Sequence, residues 1–304
     1  MKFCFVSEKS VPEETERLLR EACAARGIPF EAIEAKTFSF EPAKKLAAGD
    51  MLYRAAVSNA SSRVEQFLFT PGVSAFYAQP NGVYFGVNSQ TILVEAAGIP
   101  IPRTVYLASA DPSALRAHAD QLGGFPVVVK VLGRSSGIGV MLAESMKSLK
   151  PMVDFILAQG HNPLLCQFIP DALHWRLIVV GDSVIASYRN KRVEDDFRSA
   201  GPTDPADFEA TPSARITDIA VRAVKACGLE FAGVDVLEDS IGGAWFLEAN
   251  FPCYFPHAQV RAGVDIAGKM VDFLALKARS LANPASPVRP ELFWRSTSSA
   301  LART

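Results

Sequence analysis

The sequence has few of the residues that hold secreted or zinc-binding proteins together. Its 304 residues include only five cysteines and four histidines, and no two cysteines form a C-x-x-C pair. An odd, unpatterned set of cysteines argues against a disulfide framework. With no cluster of histidine and cysteine and no serine–histidine–aspartate ordering, a zinc site or a hydrolase triad is unsupported. We therefore expect reduced thiols and a cytoplasmic location.

An excess of one charge and long apolar runs are also missing. Lysine and arginine number 31 against 32 aspartates and glutamates, so the formal net charge is −1. This balance gives no basis for bulk binding to nucleic acid or to an anionic membrane. No apolar stretch reaches the ~18 residues needed to cross a bilayer, and the first apolar run is too short for a signal-peptide core.

What is present is an ordinary globular composition, with 49% hydrophobic and 21% charged residues. The first ninety residues alternate between strand and helix patterns, such as a strand over Lys2–Val6, a helix over Pro12–Arg26 and a strand over Met51–Val57. This alternation predicts a small α/β lobe. Because Ser7–Ser10 follows the first strand where a G-x-G-x-x-G turn would stand, a dinucleotide site of the Rossmann kind is unsupported.

The remainder of the chain consists mainly of predicted antiparallel hairpins interleaved with helices, which is typical of an α+β fold. Proline, asparagine and glycine cluster over Gln79–Asn88, and we predict a linker there. A helix capped by Asp111 and opened by Pro112 is predicted after it. The last segment, 283–304, has the composition of a loosely ordered tail.

The strongest chemical pattern lies in the hairpin FAGVDVLEDSIGGAWFLEAN, residues 231–250. Strand alternation predicts that Phe246, Glu248 and Asn250 share one face. A two-residue loop at 241–242 would place Asp235 opposite Glu248, and one at 242–243 would place it opposite Asn250. Both registers keep Asp235 on that face. Two carboxylates and an amide oxygen suit Mg²⁺ that also binds phosphates, whereas the simpler alternative is a solvated polar face.

A second pattern is PVVVKVLGRSSGIGV, in which Lys130 lies late in a β-branched strand and Gly133, Gly137 and Gly139 follow. The lysine supplies a positive charge and the loop supplies backbone N–H groups, a combination that suits a bound anion. It is not a Walker A loop, because no G-K-[ST] follows. The alternative is a glycine-rich hairpin turn with an exposed lysine.

A third pattern is a basic hairpin. A two-residue turn at 181–182 would pair Arg176 with Ser187 and His174 with Arg189, and so place them on one face. Guanidinium groups that share a face commonly hold carboxylates and phosphoryl groups. The alternatives are a solvated ribbon and, for His174, a polar edge residue. Three more basic residues follow: Lys191, Arg192 and Arg198.

Taken together and in this order, these segments resemble the ATP-grasp superfamily, specifically the RimK/LysX-like carboxylate–amine ligases. The resemblance is specific from about Gly98 to Ala278 and only topological before that. It implies an α+β ATP-grasp fold, with an N-terminal α/β pre-grasp lobe and two α+β lobes that clamp ATP. The implied domains are residues 1–87 (pre-ATP-grasp), 88–163 (central ATP-grasp subdomain), 164–282 (C-terminal ATP-grasp subdomain) and 283–304 (tail).

The resemblance also implies an activity. The expected enzyme uses ATP with Mg²⁺, or alternatively Mn²⁺, to join a carboxylate to an amine through an acyl-phosphate and releases ADP. Its expected substrates are an amino acid, a peptide or a biosynthetic intermediate, and a homo-oligomer is left open. Two alternatives remain at this point: a small-molecule kinase with the same fold, and a non-catalytic ATP-binding scaffold.

Site residues carried over from the resemblance fall into three groups. Arg176 and Arg198 are the catalytic pair, expected to hold the acyl-phosphate and the departing phosphoryl oxygens. The expected Mg²⁺ ligands are Asp235, Glu248 and Asn250. The expected nucleotide-binding residues are Lys130 at the α- and β-phosphates, Gln167, Phe168 and Ile169 at the adenine hinge, and Gly137, Gly139, His174, Arg189 and Lys191.

The sequence departs from the family pattern at five places. Residues 86–88 (Gly-Val-Asn) replace the usual Asp-Lys, Gln167 replaces a glutamate, His174 an aspartate and Ala200 an asparagine. A loop rich in aromatic residues, 251–257, replaces the usual small residues after the strand that carries the expected Mg²⁺ ligands Glu248 and Asn250. These positions lie around the expected substrate and ribose sites, so glutamate as the substrate is open.

Three aromatic residues of that loop, Phe251, Tyr254 and Phe255, offer large apolar faces. They predict a pocket for an apolar or aromatic substrate group. The alternative is that the rings only pack the loop onto the closing helix.

Overall fold

A computed structural model describes residues 1–78, 89–106, 109–131 and 137–282 of the protein. The predicted linker at 79–88, the tail at 283–304 and the two domain boundaries next to them lie outside these residues. Gly133 and the Gly-Val-Asn segment at 86–88 lie outside them as well. In the described residues, no helix is both long and apolar enough to traverse a bilayer.

The N-terminal lobe is built on a three-stranded sheet in which the first strand lies between the other two. Both pairings are parallel, which requires the helical crossovers that the strand–helix alternation predicted. This confirms the α/β lobe. Its elements are β1 (Phe3–Ser7), α1 (Glu13–Ala24), β2 (Phe30–Glu34), two short 3-10 turns (Ala35–Thr37 and Pro42–Lys44), β3 (Met51–Arg54) and α2 (Asn59–Leu68).

The central part contains a four-stranded sheet. Its helix at Pro112 begins as predicted, because the Asp111 side chain accepts hydrogen bonds from the backbone N–H groups of Ser113 and Ala114 at 3.0 and 2.9 Å. Its elements are α3 (Ser89–Ala96), β4 (Thr104–Tyr106), α4 (Pro112–Leu122), β5 (Val127–Val131), β6 (Val140–Ala143), α5 (Met146–Ala158) and β7 (Pro163–Gln167).

The sheet order is β4-β7-β5-β6, and β5 pairs antiparallel with β6 and with β7. The predicted boundary at 163/164 would cut β7 away from this sheet. Because β7 is hydrogen-bonded on both sides to central strands, we draw the boundary after Gln167 instead.

The C-terminal part contains a five-stranded sheet of order β10-β9-β8-β11-β12, all of its pairings antiparallel. Its elements are β8 (Leu173–Val180), β9 (Ser183–Val193), β10 (Asp196–Ala200), α6 (Ala206–Glu209), α7 (Ala214–Ala226), β11 (Phe231–Glu238), β12 (Ala244–Asn250), α8 (Pro256–Ala262) and α9 (Ile266–Ala282).

The two faces of this sheet have different neighbours. On the outer face, Trp175, Val234 and Phe246 pack in one buried cluster with Ile219 and Ala223 of helix α7. On the inner face, one end of the sheet packs against the N-terminal lobe and α9. That cluster includes Ile178, Phe231, Phe5, Phe76 and Met270. The other end of the inner face is left for the polar residues that line a cleft.

Candidate active site

A cleft of about 960 Å³ lies between the central four-stranded sheet and the inner face of the five-stranded sheet. Its walls come from both sheets and from the segments that follow β7 and β12. The structure brings most of the predicted site residues together in its lining: Lys130, Gly137, Gln167, Phe168, Ile169, His174, Arg176, Arg198, Asp235, Glu248 and Asn250. The lining does not include Gly139, Arg189 or Lys191.

The predicted metal ligands Asp235, Glu248 and Asn250, here called the oxygen cluster, lie together on the hairpin of β11 and β12. Asp235 is paired directly with Glu248, the first of the two predicted registers. The Asn250 side-chain nitrogen donates to both carboxylates, at 3.2 Å to Asp235 and 2.9 Å to Glu248. The amide nitrogen of Asn250 therefore joins the two carboxylates into one cluster.

The prediction that Phe246 shares this face is wrong. The register shifts between Asp235 and Val236, so that Leu247 is an extra residue on β12. Such a bulge reverses the alternation beyond it. Phe246 consequently points into the buried outer cluster, whereas Glu248 and Asn250 line the cleft.

Asp235 is buried, with 2% of its surface exposed, and the Arg176 guanidinium and the His174 imidazole both face it. Its Oδ1 lies 2.9 Å from Arg176 Nε and 3.0 Å from His174 Nε2. Burial alone would raise the pKa of Asp235, but the His174 hydrogen bond and the Arg176 charge outweigh it and lower the pKa. His174 thus contacts a carboxylate of the oxygen cluster, although it was predicted as a nucleotide-binding residue.

Glu248 opens toward the cleft. Partial burial and the neighbouring charge of Asp235 raise the pKa of its carboxyl group. A cation would relieve this repulsion, and the available donors suit Mg²⁺. Two carboxylates and one amide leave coordination positions for water and phosphate oxygens, which Mg²⁺ usually retains. Within the described residues there is no group of three or more histidine, cysteine, aspartate or glutamate side chains arranged for a metal.

Gly233 makes room for this arrangement and was not singled out from the sequence. It is opposite Asn250 in the ladder, and a Cβ there would lie 2.7 Å from Arg176 Nη1 and 2.8 Å from the Cys253 sulfur. A side chain at Gly233 would therefore require Arg176 or Cys253 to shift. Burial raises the pKa of Cys253 to about 12, so its thiol is protonated at neutral pH.

The opposite wall of the cleft comes from the central sheet. Lys130 lies near the end of β5, opposite Val140 on one neighbouring strand and Leu164 on the other. The segment after β7 supplies Phe168 and Ile169. Gln167 is already engaged, since its side-chain oxygen accepts from Arg103 Nε at 3.2 Å and its backbone N–H donates to the Arg103 carbonyl at 2.8 Å.

The basic hairpin of β8 and β9 has a different register from the predicted one. Its turn is as expected, but the register shifts between Ile178 and Val179, so Arg176 pairs with Tyr188 and His174 with Asn190. Residues directly opposite in an antiparallel pair share a face. Tyr188 and Asn190 therefore line the cleft beside Arg176 and His174, and neither was predicted.

Arg189 and Lys191 correspondingly lie on the face away from Arg176. Arg189 is opposite Trp175, whose side chain is in the outer core, and its guanidinium is 3.9 Å from Asp207. Lys191 Nζ donates to the Thr203 hydroxyl at 3.0 Å. Neither side chain is part of the cleft lining, and nucleotide binding by these two residues stays a prediction.

Arg198 crosses the cleft. Its Nη1 donates to the Gly137 carbonyl of the central sheet's glycine-rich loop at 2.9 Å, while Nε lies 3.0 Å from both carboxylate oxygens of Asp196. The hydrogen bonds from Arg198 lower the pKa of Asp196 to about 2. The Arg198 guanidinium is thus paired with the Asp196 carboxylate and lies next to the loop that is expected to hold phosphates.

Comparison with known proteins agrees with this geometry. The family model described as the RimK-like ATP-grasp domain matches residues 87–274, more than half of the chain. The chain belongs to the RimK-like ATP-grasp family.

Individual relatives give the same fold. A probable alpha-L-glutamate ligase of Aeromonas salmonicida is 34% identical over 198 residues, which cover 64% of each chain, so the match spans less than two thirds of that relative. A RimK domain ATP-grasp protein of Sphaerobacter thermophilus is 25% identical with a TM-score of 0.64, over 90% of this chain and 99% of that one. The ligase PsnB, in complex with minimal precursor, Mg and ADP, is 18% identical with a TM-score of 0.67, over 91% and 97%.

The aromatic residues of the loop after β12 have two different environments in this ATP-grasp domain. Phe251 lies 5.2 Å, ring to ring, from buried Tyr77 and 6.2 Å from Tyr53, and Phe255 is fully buried. Phe251 and Phe255 therefore pack the loop against the protein interior and do not form a substrate pocket. Tyr254 differs, because it is 50% exposed and lines the cleft, with its hydroxyl 3.3 Å from Glu14 of α1.

Proposed function

We propose that this protein is an ATP-dependent, ADP-forming carboxylate–amine ligase that forms an amide bond through an acyl-phosphate. The observation that carries the proposal is the convergence of four chemistries in one cleft. A lysine, a glycine-rich loop with an arginine across it, a hinge segment and a cluster of two carboxylates with an amide all line it. The lysine with its glycine-rich loop, the basic hairpin and the carboxylate hairpin were singled out from the sequence patterns, and the hinge was implied by the family resemblance. Phosphoryl transfer requires them together.

The nucleotide is assigned to the central wall. Lys130 would contact the α- and β-phosphates, and Gly137 borders the same region. Lys130 lines the cleft, and its ammonium group supplies the positive charge that the phosphates require. The backbone at Gln167, Phe168 and Ile169 would pair with adenine, with the N–H donors coming from Phe168 and Ile169, because the Gln167 N–H already donates to the Arg103 carbonyl.

Asp235, Glu248 and Asn250 would hold Mg²⁺ together with the nucleotide, and Mn²⁺ is the alternative ion. Asn250 must turn its amide so that the oxygen replaces the nitrogen that now bridges the carboxylates. When bound, the ion neutralises negative charge on the phosphates and helps to orient them. The His174 hydrogen bond and the Arg176 charge lower the pKa of the buried Asp235 and thereby favour the ionised carboxylate that the donor set needs.

In the proposed reaction a substrate carboxylate oxygen attacks the γ-phosphorus of ATP, a P–O bond forms, and the bond to the β-phosphate oxygen breaks to release ADP. The amine nitrogen then attacks the acyl carbon, the C–O bond to phosphate breaks, and phosphate and the amine proton leave. Arg176 and Arg198 would hold the transferred phosphoryl oxygens, since both guanidiniums line the cleft.

The substrates are proposed only as a class: an amino acid, a peptide or a biosynthetic intermediate. The Aeromonas salmonicida relative is named for glutamate, and the PsnB structure contains a precursor. In this chain Asn190, Tyr188 and Tyr254 line the cleft together with the oxygen cluster. A half-exposed tyrosine there favours a substrate with an apolar or aromatic group.

The test is to incubate the protein with Mg²⁺-ATP, panels of carboxylic acids and amines, and hydroxylamine as a small acceptor. A ligase gives ADP, phosphate and a hydroxamate, because hydroxylamine intercepts the acyl-phosphate. A kinase gives ADP and a phosphorylated product without free phosphate. ADP binding without turnover across the panels would favour the scaffold instead.

The cytoplasmic location and the homo-oligomer stay predictions. All five cysteines are buried and unpaired, which agrees with a reducing compartment.

A further inference from the structure

Strand β12, which carries Glu248 and Asn250, is the outermost strand of its sheet. One side of its backbone therefore has no neighbouring strand. Unpaired edge N–H and C=O groups are costly when buried and allow the strand to shift. Ala249, between the two proposed metal ligands, is only 2% exposed, so its outward-facing backbone groups need partners from the protein.

A single side chain supplies both partners. The Gln90 amide nitrogen donates to the Ala249 carbonyl at 2.8 Å, and the Ala249 N–H donates to the Gln90 amide oxygen at 3.0 Å. The amide thus pairs with Ala249 much as a residue of an adjacent strand would. Nearby, the Phe246 N–H donates to the Pro100 carbonyl at 2.9 Å, so the same segment holds the strand at two points.

Ala249 lies between Glu248 and Asn250, so its contact with Gln90 bears on both proposed metal ligands. The side chains of Glu248 and Asn250 leave the backbone on either side of Ala249, and they converge on one point together with Asp235. Asp235 lies on an interior strand with ladder partners on both sides. The edge strand has a ladder on one side only, so its two ligands depend on Gln90 for their alignment with Asp235.

We propose that Gln90 is a positioning residue that sets the geometry of the Mg²⁺–nucleotide site by holding Ala249. The inference rests on the proposed function, in which Glu248 and Asn250 bind the ion. Groups that orient metal ligands affect metal affinity by about 10–100-fold when they are removed. A purely structural Gln90 would instead affect folding stability and leave the Mg²⁺ dependence of nucleotide binding unchanged.

The experiment measures ADP affinity by calorimetry, with Mg²⁺ and with EDTA, so that no turnover is needed. Gln90→Met keeps the length of the side chain and removes both hydrogen bonds. Gln90→Glu keeps only the acceptor and puts a carboxylate against the Ala249 carbonyl. Thr91→Val is the matched control, because Thr91 is on the same helix but its hydroxyl contacts Tyr106.

We expect Gln90→Met and Gln90→Glu to weaken Mg²⁺-ADP binding about 10-fold while ADP with EDTA changes less than about 2-fold. Thr91→Val should match the parent in both. Parent-like Mg²⁺-ADP affinity in the Gln90 variants, or equal losses with and without Mg²⁺, would overturn the proposal. If Gln90→Met does not fold, Gln90→Glu decides. A parent protein whose ADP affinity is indifferent to Mg²⁺ would refute the proposed function itself, a result visible before any variant is made.

Discussion

The hairpins β8–β9 and β11–β12 lie side by side in one sheet, and both line the cleft with charged residues. Each contains one register shift. The shift leaves the predicted pairing of Asp235 with Glu248 intact in one hairpin and displaces the predicted pairing of Arg176 in the other. The number of extra residues between the turn and the site explains the difference.

In β11–β12, Glu238 pairs with Ala244, so the loop contains the five residues 239–243 where two were predicted. An odd loop would reverse the predicted face, but the extra residue Leu247 reverses it again. The two departures cancel before Asp235, and the carboxylates meet as predicted.

In β8–β9 the turn is the predicted one, since Val180 pairs with Ser183. The pairing then moves from Val179–Val184 to Ile178–Ala186, so Ile185 is extra and nothing compensates for it. Every later side chain on β9 changes face. The comparison shows that the parity of all insertions, and not the turn alone, decides which residues reach a site.

The largest expected effect tests the β11–β12 hairpin, in which the longer loop and the extra residue Leu247 cancel. Glu248→Ala removes a proposed metal ligand at the cleft surface, so ATP-dependent turnover should fall by about 10²–10³-fold or more, by analogy with loss of one transition-state contact. The melting temperature should stay near that of the parent, because no buried cation loses its partner. Steady-state kinetics and thermal unfolding check both expectations.

Glu95→Ala is the matched control, since Glu95 is an exposed carboxylate on α3. Asp235 is unsuitable for this comparison. Its removal leaves Arg176 and His174 without their common anion, and breaking a buried ion pair costs roughly 3–5 kcal/mol. Near-parent activity in Glu248→Ala would mean that the carboxylates meet without binding the ion.

Lys130→Met removes the ammonium group from the central wall and keeps the side chain's bulk. ATP affinity should fall by at least about 10-fold, because a charge-assisted contact contributes ~1.5–3 kcal/mol. Stability should change little. Calorimetric titration with ATP measures the effect, and Lys147→Met, an exposed lysine on α5, is the control. Equal ATP affinity in the two variants would place Lys130 outside the phosphate site.

In the aromatic loop, two neighbouring residues have different expected roles: Tyr254 contacts a substrate, and Phe255 packs in the core. Tyr254→Ala should raise KM for one substrate by up to about 10-fold and leave ATP binding unchanged, because the ring is half-exposed at the cleft. Phe255→Ala should instead lower the free energy of unfolding by roughly 3–5 kcal/mol, because its ring is fully buried. Chemical denaturation and two-substrate kinetics on both variants distinguish the roles. Unchanged KM values in Tyr254→Ala would move the pocket toward Arg176.

Much of the fold was predictable from local patterns. Strand–helix alternation predicted the N-terminal α/β lobe, and Asp111 with Pro112 marked a helix start that the structure reproduces. Helix α5 was not predicted; Pro151 lies inside it and contradicts the usual helix pattern. Bulges were equally invisible, because the extra residues Leu247 and Ile185 are ordinary strand formers. Gln90 gave no signal either, since its contact with Ala249 spans 159 positions of sequence.

The smallest expected effect tests the shifted register of the β8–β9 hairpin. Asn190 lines the cleft and is opposite His174, whereas Lys191 points to Thr203 outside it. Asn190→Ala should therefore raise one KM by about 5-fold, the value of a neutral hydrogen bond of ~1 kcal/mol. Lys191→Met, which removes a full charge, should change every KM by less than about 2-fold. The contrast is informative because a charge would be expected to matter more than an amide if both faced the substrates. The reverse result, a large effect at Lys191 and none at Asn190, would restore the unshifted register and remove Tyr188 from the cleft.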